Sequence, residues 1–229
     1  MKKFLLILTL FILSGSIATA QITIKRIKGS VELRHGVSEE WVKGKVGDLL
    51  TPDITMKTGK NSSVTIVNAE KQLITVPELT ILEVGDFRRM SQEELLLKLA
   101  MADVRSIPPQ ENPGEPRIPN TTIIHGRDRS LTAVAPMKQG GLREMEVRGT
   151  KVLFDNGFYA TCVLRAKEMM EVYPELRSRF DFRMMIATAL EQNRQRGQAL
   201  SEYLSLSDVA LSPSQRAKVD QSIHRLKGQ

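Results

Sequence analysis

"GDLLTPDITMKTGKNSSVTIV", residues 47–67, alternates short apolar runs with turn formers, and its reading decides the fold of the first part of the chain. Gly47-Asp48 and Thr58-Gly59-Lys60-Asn61 cut it into strand-length pieces, with no nucleophile, metal cluster or phosphate loop between them. Glycine permits positive φ, and Asp, Asn and Ser side chains bond their own backbone, so these residues at short intervals mark chain reversals. Outward from this stretch, "ITIKRI" and "SVELR" alternate apolar and polar side chains around Lys28-Gly29, which predicts a tight hairpin. "SVTIV", "QLITV" and "LTILEV" follow, ending at Gly85-Asp86, with further turn signals at Gly36, Gly44 and Asn68-Ala69-Glu70. The pattern predicts roughly seven to nine short strands over residues 22–87, as a sandwich, roll or small barrel. Trp41, the only tryptophan, is expected to pack over the sheet, with sugar stacking as its alternative use.

The chain opens with "MKKFLLILTLFILSGSIATA", in which Lys2 and Lys3 precede an unbroken apolar run from Phe4 to Ile12. Ala18-Thr19-Ala20 supplies a small-x-small cleavage site, so residues 1–20 read as a secretory signal peptide. The apolar run is short for a bilayer span, which takes about 20 residues. No transmembrane segment is expected after signal cleavage, and the mature chain is expected to be exported to the periplasm, cell surface or exterior. The formal charge of the full chain is +7, of which Lys2 and Lys3 leave with the signal. Outside the cytoplasm such a balance points to anionic headgroups, cell-wall polymers or an acidic protein face rather than nucleic acid. A single cysteine, Cys162, excludes an intramolecular disulfide, so the fold must rest on its core.

Residues 91–105, "SQEELLLKLAMADVR", change to helical period, with Ser91 and Glu94 as a capping box and Leu95, Leu96, Leu99 and Val104 near one face. This helix is expected to cap the open end of the strand domain, with docking on the C-terminal helices as the alternative. Five of the ten prolines then fall between Pro108 and Pro119, a density that reads as an extended linker. In residues 121–156, "TTIIHG" and "EMEVRGTKVLF" are each expected as strands around the glycine-rich "KQGGLRE".

From Gly157 onward the period is helical, in four stretches ending near Pro174, Gly197, Ser212-Pro213 and the C-terminus. Ser212 before Pro213 is a good helix start. Ala160, Leu164 and Pro174 share their spacing with Ala199, Tyr203 and Pro213. With Ala187, Leu190 and Gly197, these residues resemble a degenerate tetratricopeptide-type unit, a generic helical hairpin being the simpler reading.

Chemistry-bearing motifs are sparse. No zinc-ligand spacing, nucleophile elbow, Walker loop or dinucleotide fingerprint occurs, so no catalytic, cofactor-binding or metal-binding residue is assigned. His35, His125 and His224 are scattered. "IHGRDRS" brings His125, Arg127 and Asp128 together in sequence, and an acid–base role would need them converging on a pocket.

"GSVELRHG", "EEWVKGKVGDLLTPDITMKTGKNSSVTIVNAEKQLITV" and "PELTILEV" together resemble a FecR domain, a secreted or periplasmic β-module named after the periplasmic regulator of iron-dicitrate uptake. Gly29, Val31, Trp41, Gly47, Asp48, Asp53, Thr58, Gly59, Ser62, Pro77 and Leu82 stand at the family's motif places. Pro52 and Ala69-Glu70 depart from its usual Gly and Asp-Gly. The resemblance covers about residues 24–87 and implies a non-catalytic binding module. Family regulators join this domain through a membrane helix to a cytoplasmic segment, and neither is expected here.

These readings give an α+β chain. Residues 1–20 are the signal peptide, and residues 21–107 a FecR-like all-β domain with a trailing capping helix. Residues 108–120 are the Pro-rich linker, residues 121–156 a mixed segment, and residues 157–229 a helical hairpin array. The expected function is an exported, non-enzymatic envelope protein that binds another envelope protein or a cell-wall glycan. The alternative is a periplasmic module acting in trans on an uptake receptor or a membrane regulator of sigma-factor signalling.

Overall fold

In the computed structural model, which describes residues 22–106, 139–207 and 210–228, strand alternation sorts the first part of the chain into eight strands. These are β1 (Ile22–Lys28), β2 (Val31–His35), β3 (Val42–Lys43), β4 (Leu49–Leu50), β5 (Ile54–Thr58), β6 (Ser63–Val67), β7 (Leu73–Val76) and β8 (Ile81–Glu83). They form two four-stranded antiparallel sheets, ordered β4-β1-β6-β7 and β3-β2-β5-β8. Ile24, Ile66, Ile74 and Val76 of the first sheet share a buried core with Leu33, Met56 and Leu82 of the second.

The expected β1–β2 hairpin is not formed. β1 pairs with β4 and β6, and β2 with β3 and β5, so Gly29-Ser30 carries the chain from one sheet to the other. The same kind of crossing recurs between β3 and β4, β4 and β5, β5 and β6, and β7 and β8. Each strand of one sheet therefore has a sequence neighbour in the other, and the β3/β4 edges share one side while β7 and β8 share the opposite side.

Among the described residues six α-helices follow: α1 (Gln92–Ser106), α2 (Gln139–Asp155), α3 (Tyr159–Val172), α4 (Phe180–Gln192), α5 (Arg196–Ser207) and α6 (Pro213–Lys227). "EMEVRGTKVLF" lies within α2 and is not a strand. Its buried residues Met145, Gly149, Val152 and Leu153 recur at helical spacing, which overrides the local alternation that suggested a strand. The helical region thus already includes residues 139–155, ahead of the expected start at 157. Successive helices from α2 to α6 pack in order, and α2 also touches α4. Ala160, Ala199, Ala187 and Tyr203 are buried where helices meet. Ser212 caps α6 through the amide of Gln215, whose side chain returns the bond, with Pro213 at the first turn.

The strand and helix halves are joined by α2, which lies along the β7/β8 side. Gly149 sits against the Ile81 carbonyl, Arg148 donates to the Glu78 carbonyl, and Gln72 donates to the Asn156 carbonyl. α1 packs on α3, the docking on the C-terminal helices expected as the alternative to capping the strands. Leu95 is fully buried, while Leu96 and Leu97 face solvent, which corrects the expectation for Leu96. Ser91 accepts from the Glu94 amide, but the Glu94 carboxylate pairs with Arg88. The Pro-rich stretch at 108–120 and the cluster of His125, Arg127 and Asp128 lie outside the described residues, as do residues 1–21 and the Val104 side chain.

Candidate functional site

The register of β2, β3 and β5 builds a cation–aromatic platform around Trp41 on the outer face of their sheet. Leu33 and Val42 are paired, so Trp41, one residue before β3, falls beside Arg34. Leu33 points into the core, which turns Glu32 and Arg34 outward, and the Glu32–Lys57 pairing brings Lys57 to the same face. The Lys57 ammonium lies 4.4 Å from the Trp41 ring centroid and the Arg34 guanidinium carbon 5.0 Å from it. Contacts of this type contribute about 0.5–1 kcal/mol each at an exposed site. Glu32 pairs with Lys57, whereas Arg34 Nε has no hydrogen-bond partner among the described residues. The result is a half-exposed aromatic ring held in place by two cations, a surface suited to an acidic or planar partner group.

The other motif residues build the turns. Gly29 has φ +76° and lies so close to Ser62 that a β-carbon would overlap its hydroxyl. Ser62 Oγ accepts from the Ser30 amide at 2.9 Å, and Gly59 N donates to the Ser30 carbonyl at 2.9 Å. Thr58 Oγ1 donates to the Pro77 carbonyl at 2.6 Å and accepts from the Thr80 amide at 3.0 Å. Gly29, Thr58, Gly59 and Ser62 thus converge on one end of the sandwich. Gly47 takes φ +93° beside Asp48, whose carboxylate accepts the Lys45 amide at 2.7 Å. Asp53 holds the next corner: its carboxylate accepts from Thr51 at 2.5 Å, which lowers its pKa, and its carbonyl accepts the Gly36 amide.

A second charged cluster spans the joint between the halves. Arg165 on α3 is buried, with its guanidinium 3.8 Å from Glu83 on β8, 3.5 Å from Glu146 on α2 and 3.7 Å from Glu168. Beside it, burial and then Glu146 push the Tyr173 phenol up to about 12. Cys162 is fully buried in α3, and burial pushes its thiol far above the usual range, as suits a core residue. His35 and His224 are exposed on β2 and α6 and do not meet. Among the described residues, no group of His, Cys, Asp or Glu has a metal-holding arrangement, and no helix is long and apolar enough to cross a membrane.

Trp41 alone was legible as a candidate. Arg34 and Lys57 are ordinary strand cations in sequence, and only the register brings them to the ring. Arg165 and its carboxylates lie on three separate elements, and no local signal joins them. Comparison with protein-family models, curated proteins and solved structures finds no match to the chain.

Proposed function

We propose that this is an exported, non-enzymatic binding protein of the cell envelope. Its FecR-like strand domain holds an envelope protein or glycan at the outer sheet face around Trp41, and its helical array offers a second contact surface. The observation that carries this reading is the Trp41 ring with Arg34 and Lys57 against it. Aromatic and arginine side chains dominate the energetics of protein interfaces. A ring pre-positioned by two strands also loses little freedom on binding. The α2 contact with β8 supports the same reading, because it joins the two halves through a buried interface, so that both surfaces belong to one body.

The test is photo-crosslinking in the native host from a reactive residue placed at Glu40, which is exposed and adjoins Trp41 in the chain. One envelope component should be captured, and the adduct should fall at least tenfold with Trp41→Ala while the melting temperature barely moves. No adduct, or an adduct indifferent to Trp41→Ala, would sink the reading. If the adduct is an uptake receptor or a membrane regulator, the protein acts as a regulatory module in trans.

A further inference from the structure

We infer that the corner where β1 meets the Lys45–Asp48 turn docks on an anionic lipid surface. This goes beyond the partner at Trp41 and uses none of its residues. The Gly47 amide donates to the Ile24 carbonyl at 2.9 Å, which fixes Val46 beside Lys25. Leu49 pairs with Thr23 on the outer side of the same sheet, next to this turn. Val46 and Leu49 are 64% and 58% exposed, so two apolar side chains stand outward where one sheet edge turns.

Cations surround them. A bulge between Ile24 and Arg26 breaks the alternation of β1, and Lys25 and Arg26 in succession are both exposed. Lys28 and Lys45 are exposed as well. Among the described residues none of these four cations makes an ion pair, in contrast to Lys57, Arg88 and Arg89. The nearest carboxylate in sequence, Asp48, is engaged by the Lys45 amide. Apolar side chains raised on a turn, ringed by unpaired cations, match a bilayer interface. Hydrocarbon lies just below the phosphates there, and each cation near such a surface strengthens binding about fivefold. An acidic protein would meet the same charges. The apolar residues, however, stand on a turn and a two-residue edge strand, which gives a peptide little ladder to pair with.

The experiment is co-sedimentation of the chain from residue 21 onward, which contains every described element, with vesicles of equal phosphatidylglycerol and phosphatidylethanolamine. Vesicles of phosphatidylcholine alone are the control. Binding should be at least tenfold stronger to the anionic vesicles and should weaken as salt rises above about 0.1 M. Lys25→Glu with Arg26→Glu should remove it, and Val46→Asp with Leu49→Asp should weaken it at least tenfold, with circular dichroism unchanged. Trp41→Ala should leave it intact, which separates this inference from the reading above. Equal binding to both vesicles, absence of binding, or indifference to both pairs of substitutions would overturn it. Loss of an acidic protein adduct in Lys25→Glu, Arg26→Glu without any vesicle binding would do the same and assign the corner to a protein.

Discussion

Gly149 of α2 lies against the carbonyl oxygen of Ile81 on β8, so closely that a β-carbon at 149 would overlap it. Helix propensity alone makes Gly→Ala within a helix favourable by about 1 kcal/mol. Here the obstacle is backbone, which cannot swing aside, and overpacking of this kind costs about 1–3 kcal/mol. Gly149→Ala should therefore lower the melting temperature. Gly141→Ala, on the same helix with nothing near it, should leave it unchanged or raise it. Equal shifts of the same sign would refute the close approach.

Gly29 and Gly47 both take positive φ, +76° and +93°, but only Gly29 also touches a neighbour, Ser62. Gly47→Ala should cost about 1–2 kcal/mol of backbone strain alone. Gly29→Ala adds the overlap with the Ser62 hydroxyl and disturbs the Ser30–Ser62 bond, so denaturant unfolding should show the larger loss there. A larger loss at Gly47 would mean that the contact between the layers at this end is not made.

How much of this was legible in sequence follows from the same residues. Alternation and turn chemistry place the strands, because both are local. A Gly-containing reversal reads alike whether it joins two strands of one sheet or two sheets, so Lys28-Gly29 predicts a hairpin where the chain crosses between sheets. What separates the cases is Ser62, which Gly29 meets only after folding. α2 was hidden by its own glycines: Gly140, Gly141 and Gly149 suggest turns, while Gly149 in fact serves the contact with Ile81. Of the candidate site, Trp41 was visible and its two cations were not, because pairing register assigns them.

Arg165 holds the joint by charge. It is 7% exposed between Glu83 and Glu146, which are themselves 18% and 11% exposed. Arg165→Met should destabilise by about 3–5 kcal/mol, since it leaves two poorly solvated carboxylates facing each other. Adding Glu83→Gln and Glu146→Gln should restore part of the loss. Chemical denaturation of the single and triple variants measures both, and an unchanged single variant would contradict the cluster.

Tyr173 sets an alkaline limit. Burial and Glu146 raise its phenol from the usual 10.0 to about 12, so the folded protein keeps a proton that the unfolded chain releases. The unfolded state then binds fewer protons, and stability is present in full below pH 10 and declines as pH rises towards about 12. Tyr173→Phe should flatten that decline in thermal melts across this window. A decline of the same size in the variant would assign it elsewhere.

The central claim is that strands and helices form one body, joined through Gly149–Ile81, Arg165–Glu83 and the edge-to-face contact of Phe87 with Phe158 at 5.6 Å. Limited proteolysis at Arg117, in the Pro-rich stretch, followed by size-exclusion chromatography under native conditions, tests it most directly. The two fragments should co-elute at the volume of the uncut chain and separate only in denaturant. Elution of a stable fragment of residues 21–117 on its own would contradict the claim.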